Sequence, residues 1–117
     1  MLRLSSIIIA KDEEKNIERC LNSLKNIIDD VVLLIDSRTK DKTFEIAKSF
    51  QFVNCEIIEW QGFSKTKQYA LTKTKYDWVL WIDADEELTD ELKNELLKFK
   101  NEKPIYSCYD VARRAFF

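Results

Sequence analysis

Apolar positions along the chain fall into two alternating rhythms. Leu4-Ser5-Ser6-Ile7-Ile8-Ile9-Ala10 is a β-branched run that stops abruptly at Lys11-Asp12-Glu13-Glu14, a change from strand composition to an acidic helix start. Ile17, Leu21, Leu24 and Ile28 then recur at helical spacing and predict a helix over about Glu13 to Ile27 with one apolar face. The unbroken apolar run Val31-Val32-Leu33-Leu34-Ile35 reads as a strand covered on both faces, the pattern of a parallel strand between helices. It stops at Asp36. A polar loop follows, in which Asp41 is placed to cap a helix with Phe44, Ala47 and Phe50 on its inner side. Cys55 to Ile58 predicts a short strand, Ser64 to Thr72 a helix, and Trp78 to Ile82 a second wholly apolar strand ending at Asp83. Thr89 caps a helix with Leu92, Leu96 and Phe99 inward, and Pro104 to Val111 predicts a further strand.

Strands and helices thus alternate throughout. Short connections of this kind require a mostly parallel sheet flanked by helices, with ligands at the carboxyl ends of the strands. At 117 residues the chain fits one domain, residues 1–117. Apolar residues at 45% and charged residues at 34% suit a globular protein and argue against a disordered tail. The 19 basic and 21 acidic side chains are intermixed, for a net charge of -2, so no concentrated positive field points to nucleic acid. Cys20, Cys55 and Cys108 are few and far apart; they read as buried fillers in a reducing cytoplasm rather than as a disulfide framework or zinc site. Histidine is absent, so a metal here must be held by oxygen. The first ten residues are too short an apolar run for a membrane span.

Three polar groups follow predicted strands: Lys11-Asp12-Glu13, Asp36-Ser37 and Asp83-Ala84-Asp85. In a doubly wound sheet they share one edge. Two carboxylates at i and i+2 leaving a strand can both reach a divalent cation, and magnesium or manganese bridges such carboxylates to substrate phosphates, which suggests a nucleoside diphosphate. Each group also has a plainer account. Asp83, Asp85, Glu86 and Glu87 suit the acidic first turn of a helix, Asp12 and Glu13 suit another helix start, and Asp36 suits a loop. Lys65 and Lys67 follow Gly62 and could approach a diphosphate, Lys67 foremost, although solvent-facing lysines are common. Trp60, Trp78 and Trp81 read as core rather than sugar platforms.

Taken together, Ser6 to Ile17, Val32 to Ser37 with Asp41-Lys42-Thr43, and Asp77 to Glu86 strongly resemble family 2 glycosyltransferases, and the resemblance spans nearly the whole chain. It is nearest to the lipopolysaccharide core glucosyltransferase branch, in which Trp60-Gln61-Gly62-Phe63 and Arg113-Arg114 also have counterparts. The resemblance implies a GT-A, Rossmann-like fold, a nucleotide-sugar donor such as UDP-glucose, Mn2+ or Mg2+, and inverting transfer of a hexose to a glycan or lipid-linked acceptor. It also implies a cytoplasmic protein, at the inner face of the cytoplasmic membrane. By matching position, Ala10 and Asp12 line the base pocket beside Glu13, Asp36 contacts the base, and Lys67 meets the diphosphate. Asp83 contacts the ribose or metal shell and Asp85 the metal.

Four positions depart from the family pattern. Lys67-Gln68 stands where Arg-Asn is usual, Arg38 where glycine or serine is usual, and Asp12 where asparagine is usual. Inverting members place the acceptor-activating carboxylate well beyond the Asp-x-Asp. The expectation is therefore a donor-binding part truncated before the acceptor half, with little or no transfer by this chain alone. The competing classes are a receiver-like signalling module, disfavoured because its carboxylates would have to follow other strands, and an inactive fragment that self-associates through an uncovered sheet edge.

Overall fold

The computed structural model describes residues 1–102; the strand expected over Pro104 to Val111, Cys108 and Arg113-Arg114 lie outside them. Eight elements alternate: β1 (Leu4–Ala10), α1 (Ile17–Leu24), β2 (Asp30–Asp36), α2 (Thr43–Lys48), β3 (Val53–Ile58), α3 (Phe63–Lys73), β4 (Trp78–Trp81) and α4 (Asp90–Asn101). The four strands form one sheet in the order β3-β2-β1-β4, with every neighbouring pair parallel. The chain thus steps outward from β1 to β3 and then crosses back to lay β4 on the other side of β1.

Alternation along the strands divides the core in two. Leu4 and Ile8 of β1, with Val31, Leu33 and Ile35 of β2, face α1, α2 and α4, where Ile17, Cys20, Leu21, Leu24, Ala47 and Leu96 complete one cluster. Ile7, Val32 and Leu34 face the opposite way and pack with Ala70 of α3, beside half-buried Ile58, Val79 and Trp81. The central strands β1 and β2 are covered on both faces, and β2 is buried at every residue, as its unbroken apolar run requires. Burying each large aliphatic side chain contributes about 1.5–3 kcal/mol, which makes this central pair the main source of cohesion.

Trp78–Trp81 has the same kind of sequence, yet all four residues are only half-buried, because β4 borders the described sheet on one side. Trp78 stacks edge-on against Phe99 of α4 at 5.2 Å, which agrees with a packing role. Trp60 corrects the expectation of a core residue: it pairs with Phe63 at 4.8 Å, outside both clusters, and Phe63 is 70% exposed.

Helix α1 is shorter than its apolar period suggests. Residues 13–16 form a turn in which the Asn16 and Ile17 N–H groups both donate to the Glu13 carbonyl, and Lys25 is extended. The N–H groups of residues 12–14 are given to the next loop, as described below. At α4, Thr89 Oγ1 accepts the Leu92 N–H at 3.1 Å, the expected cap. At α2 the capping aspartate acts from one position further out: Asp41 Oδ1 accepts the Thr43 N–H at 3.0 Å, while Lys42 holds the cap position without a side-chain bond.

Candidate active site at the carboxyl edge of the sheet

Because the chain turns outward on one side of β1 and returns on the other, the gap between the carboxyl ends of β1 and β4 is the switch point of the sheet. Loops on either side of such a gap diverge and leave a crevice for a ligand. The residues following both strands are acidic: Asp12 and Glu13 after β1, and Asp83 and Asp85 after β4.

The loop after β4 is a tight turn that organises itself. The Glu86 N–H donates to the Asp83 carbonyl at 3.0 Å, and the buried Glu86 carboxylate folds back to accept the Asp83 N–H at 2.8 Å. Ala84 is buried, so the turn is anchored on its inner side, whereas Asp83 is exposed and Asp85 half-buried. The Cys20 thiol lies 3.7 Å from the Asp83 carbonyl. Burial, aided by the charges of Glu86, Asp85 and Glu13, pushes that thiol up to about 12, so it is an inert filler as expected. The spacing of Asp83 and Glu86, three residues apart as in a capping box, is the sequence signal that marks this turn.

Across the gap, Glu13 is partly buried and its carboxyl is raised above the ordinary range. Burial is the main cause; the Asn16 amide opposes it, and the negative charges of Asp85, Asp41 and Asp83 add to it. Glu13, Asp83 and Asp85 are therefore brought within electrostatic reach of one another. Among the described residues no hydrogen bond or ion pair engages the Asp83 and Asp85 carboxylates, and no group of three or more His, Cys, Asp or Glu side chains forms a ready metal cage. Such a pair of oxygen donors fits a magnesium- or manganese-like ion that keeps waters and completes its shell on substrate phosphates, and it does not fit a closed all-protein site.

The loops after β1 and β2 are stapled together. Asp12 has a left-handed backbone (φ 52), donates its N–H to Thr39 Oγ1 at 3.4 Å and accepts the Lys40 N–H at 2.7 Å, a bond that holds its carboxyl below the usual range. The Glu13 N–H reaches the buried Thr43 hydroxyl at 2.9 Å, and the Glu14 N–H reaches Asp41 at 3.0 Å. Asp12 is thus mainly a structural tie, and Thr39 and Thr43 are partners that sequence reasoning missed. Ala10 ends β1 as a buried small residue beside Ile35.

Asp36 ends β2 and is 2% exposed. Its carboxylate is gripped by Arg38 through the guanidinium, at 2.6 Å from Nη2 to Oδ2 and 3.0 Å from Nε to Oδ1, and through the Arg38 N–H at 2.9 Å. The Arg38 side chain holds Asp36 at about 2. The structure therefore pairs Asp36 with Arg38 at the end of β2, apart from the acidic cluster. Lys67 lies on α3, on the other face of the sheet, with its ammonium 5.0 Å from the centre of the Trp81 ring. Trp81 immediately precedes the acidic turn, so Lys67 is held beside it; Lys65 is exposed.

Residues 5–115 match the Glycosyl transferase family 2 profile. The chain belongs to that family. A similar relative is an uncharacterized glycosyltransferase of Rickettsia bellii, 45% identical over 94 residues that make up 80% of this chain and 31% of the relative. The lipopolysaccharide core biosynthesis glycosyltransferase LpsC of Rhizobium meliloti is 29% identical over 98% of this chain and 43% of its own length. Among solved structures, S. aureus TarS superimposes with a TM-score of 0.66 at 24% identity, covering 84% of this chain and 32% of the TarS 1-349 chain. The family 2 chain thus has the expected GT-A fold, and it spans about a third of the length of the first relatives it matches.

Proposed function

We propose that the carboxyl edge of the sheet is the donor half of a nucleotide-sugar pocket. The observation that carries the proposal is the pairing of Asp83 and Asp85, unengaged among the described residues, with partly buried Glu13 across the switch point. A divalent ion, Mn2+ or Mg2+, would supply charge stabilisation for the departing nucleoside diphosphate. Asp85 would hold it, with Asp83 contributing to the metal shell or to the ribose. Ala10 and Asp12 form the wall nearest the base, Glu13 adds negative potential behind the metal position, and the Asp36 end of β2 takes the nucleoside side. Lys67 supplies a single positive charge toward the diphosphate without the bidentate fork of arginine.

Likeness to the lipopolysaccharide core biosynthesis enzyme LpsC supports a cell-envelope glycan or lipid-linked acceptor, and the motif resemblance supports a hexose donor such as UDP-glucose. The reaction would be inverting and would take place in the cytoplasm, at the inner face of the membrane. Deprotonation of the acceptor hydroxyl is assigned to no residue of this chain. Calorimetric titration of UDP-glucose with and without manganese tests the reading. Binding that requires manganese and disappears in Asp85→Asn is expected; a folded protein that binds nothing under either condition sinks it.

A further inference from the structure

Among the described residues, Asp36 is the strand-end carboxylate of this site most fully engaged by its own chain. Oδ1 accepts the Arg38 backbone N–H at 2.9 Å and Nε at 3.0 Å; Oδ2 accepts Nη2 at 2.6 Å and Nε again at 3.2 Å. Three N–H groups of one residue, with the Nε–H shared between both oxygens, thus occupy most of a carboxylate that offers about four acceptor positions. Exposure points the same way, since the Asp36 side chain is 2% exposed and the Arg38 side chain lying over it 60%. Lys11 is the other cation close enough to act on Asp36. A molecule arriving at the end of β2 therefore meets N–H donors where the bare aspartate would have offered acceptors.

A guanidinium carries five N–H donors in a rigid plane, and the grip on Asp36 consumes only one edge of it. The remaining donors point away from the carboxylate by the geometry of the group. Because the side chain is already held, binding to it does not incur the full cost of ordering a long flexible residue.

We propose that Arg38 is a specificity-determining residue of the donor pocket, whose outward N–H groups read acceptor atoms on the base of the nucleoside diphosphate, while Asp36 serves as the positioning residue for Arg38. The inference rests on the donor-pocket reading above. It replaces recognition of a base N–H by a carboxylate with recognition of carbonyl oxygens or ring nitrogens by a guanidinium.

The test is titration of UDP, CDP and GDP, each with manganese, onto the full chain and onto Arg38→Ala and Arg38→Lys, with melting curves to confirm folding. The native chain should prefer one diphosphate. Arg38→Ala should weaken that one by about tenfold, the scale of one lost charged hydrogen bond, and should level the preference among the three. Arg38→Lys should lose most of the same preference, because one ammonium cannot grip both carboxylate oxygens and also face outward. If Arg38→Ala does not fold, Arg38→Lys carries the same test. Unchanged or tighter binding in the same order overturns the inference and makes Arg38 a mere cover. A uniform loss across the three diphosphates overturns it too, since that locates the contact on the shared diphosphate. If the native chain binds none of them, the donor-pocket reading falls, and this inference with it; binding that ignores Arg38 removes this inference alone.

Discussion

At the amino edge of the sheet, Asp30 is buried and accepts the Ser5 hydroxyl at 2.7 Å and the Lys75 N–H at 2.8 Å, while Ser5 in turn accepts the Tyr76 N–H. Beside it, Asp29 accepts the Leu4 N–H and pairs with buried Lys100 at 2.9 Å; Lys100 also donates to the Ile27 carbonyl. At the carboxyl edge, Asp83 and Asp85 project from an anchored turn without comparable partners among the described residues, and Glu13 is crowded by their charges. The same side chain is used for cohesion at one end and left in reserve at the other. A fold that needed only stability would pair or discard the second set, so the contrast locates function more directly than acidity does.

The contrast breaks most visibly at Asp30. Asp30→Ala leaves the Ser5 hydroxyl and the Lys75 N–H without their acceptor and should cost about 3 kcal/mol in urea unfolding; a loss below about 1 kcal/mol would mean that water replaces the carboxylate and that the amino edge is no tighter than the other. Lys100→Met should cost about 2 kcal/mol at neutral pH, because it strips a counter-charge from Asp29. Its acid profile is more telling. Burial pushes the Asp29 carboxyl up, but the Leu4 N–H and Lys100 outweigh it and hold it below its ordinary 3.8. A depressed folded value means stability that is fully present above 3.8 and lost as the pH falls through the folded value. Lys100→Met should therefore begin to unfold at a higher pH than the native chain, and coincident acid-unfolding curves would refute the pairing. The smallest change in stability is expected at the carboxyl edge. Asp85→Asn should alter unfolding by no more than about 0.5 kcal/mol, with any shift toward greater stability because it relieves Glu13. A clear destabilisation would show that Asp85 is structural after all.

Much of this arrangement was legible in the chain. The buried β2, the inward faces of α1, α2 and α4, and the acidic groups at three strand ends follow from hydrophobic period and from where it stops. Other features were not. The N–H groups of Glu13 and Glu14 reach Thr43 and Asp41, about thirty residues away, and local propensity contains no trace of such bonds. The lysine expected near the diphosphate proved to rest on Trp81, across an aromatic ring that sequence reasoning had consigned to the core. Trp60 also escaped its expected place, since an aromatic residue outside a regular strand has no period to direct it inward.

The sequence by itself determined the alternation of strands and helices and the family, because period and motif are properties of neighbouring residues. Tertiary structure alone decided which carboxylates are spent and which remain available. Asp12, Asp30, Asp36, Asp83 and Asp85 are chemically identical, and only the donors that folding brings to each one, a Lys40 amide, a Ser5 hydroxyl, an Arg38 guanidinium or none among the described residues, separate a brace from a candidate ligand position.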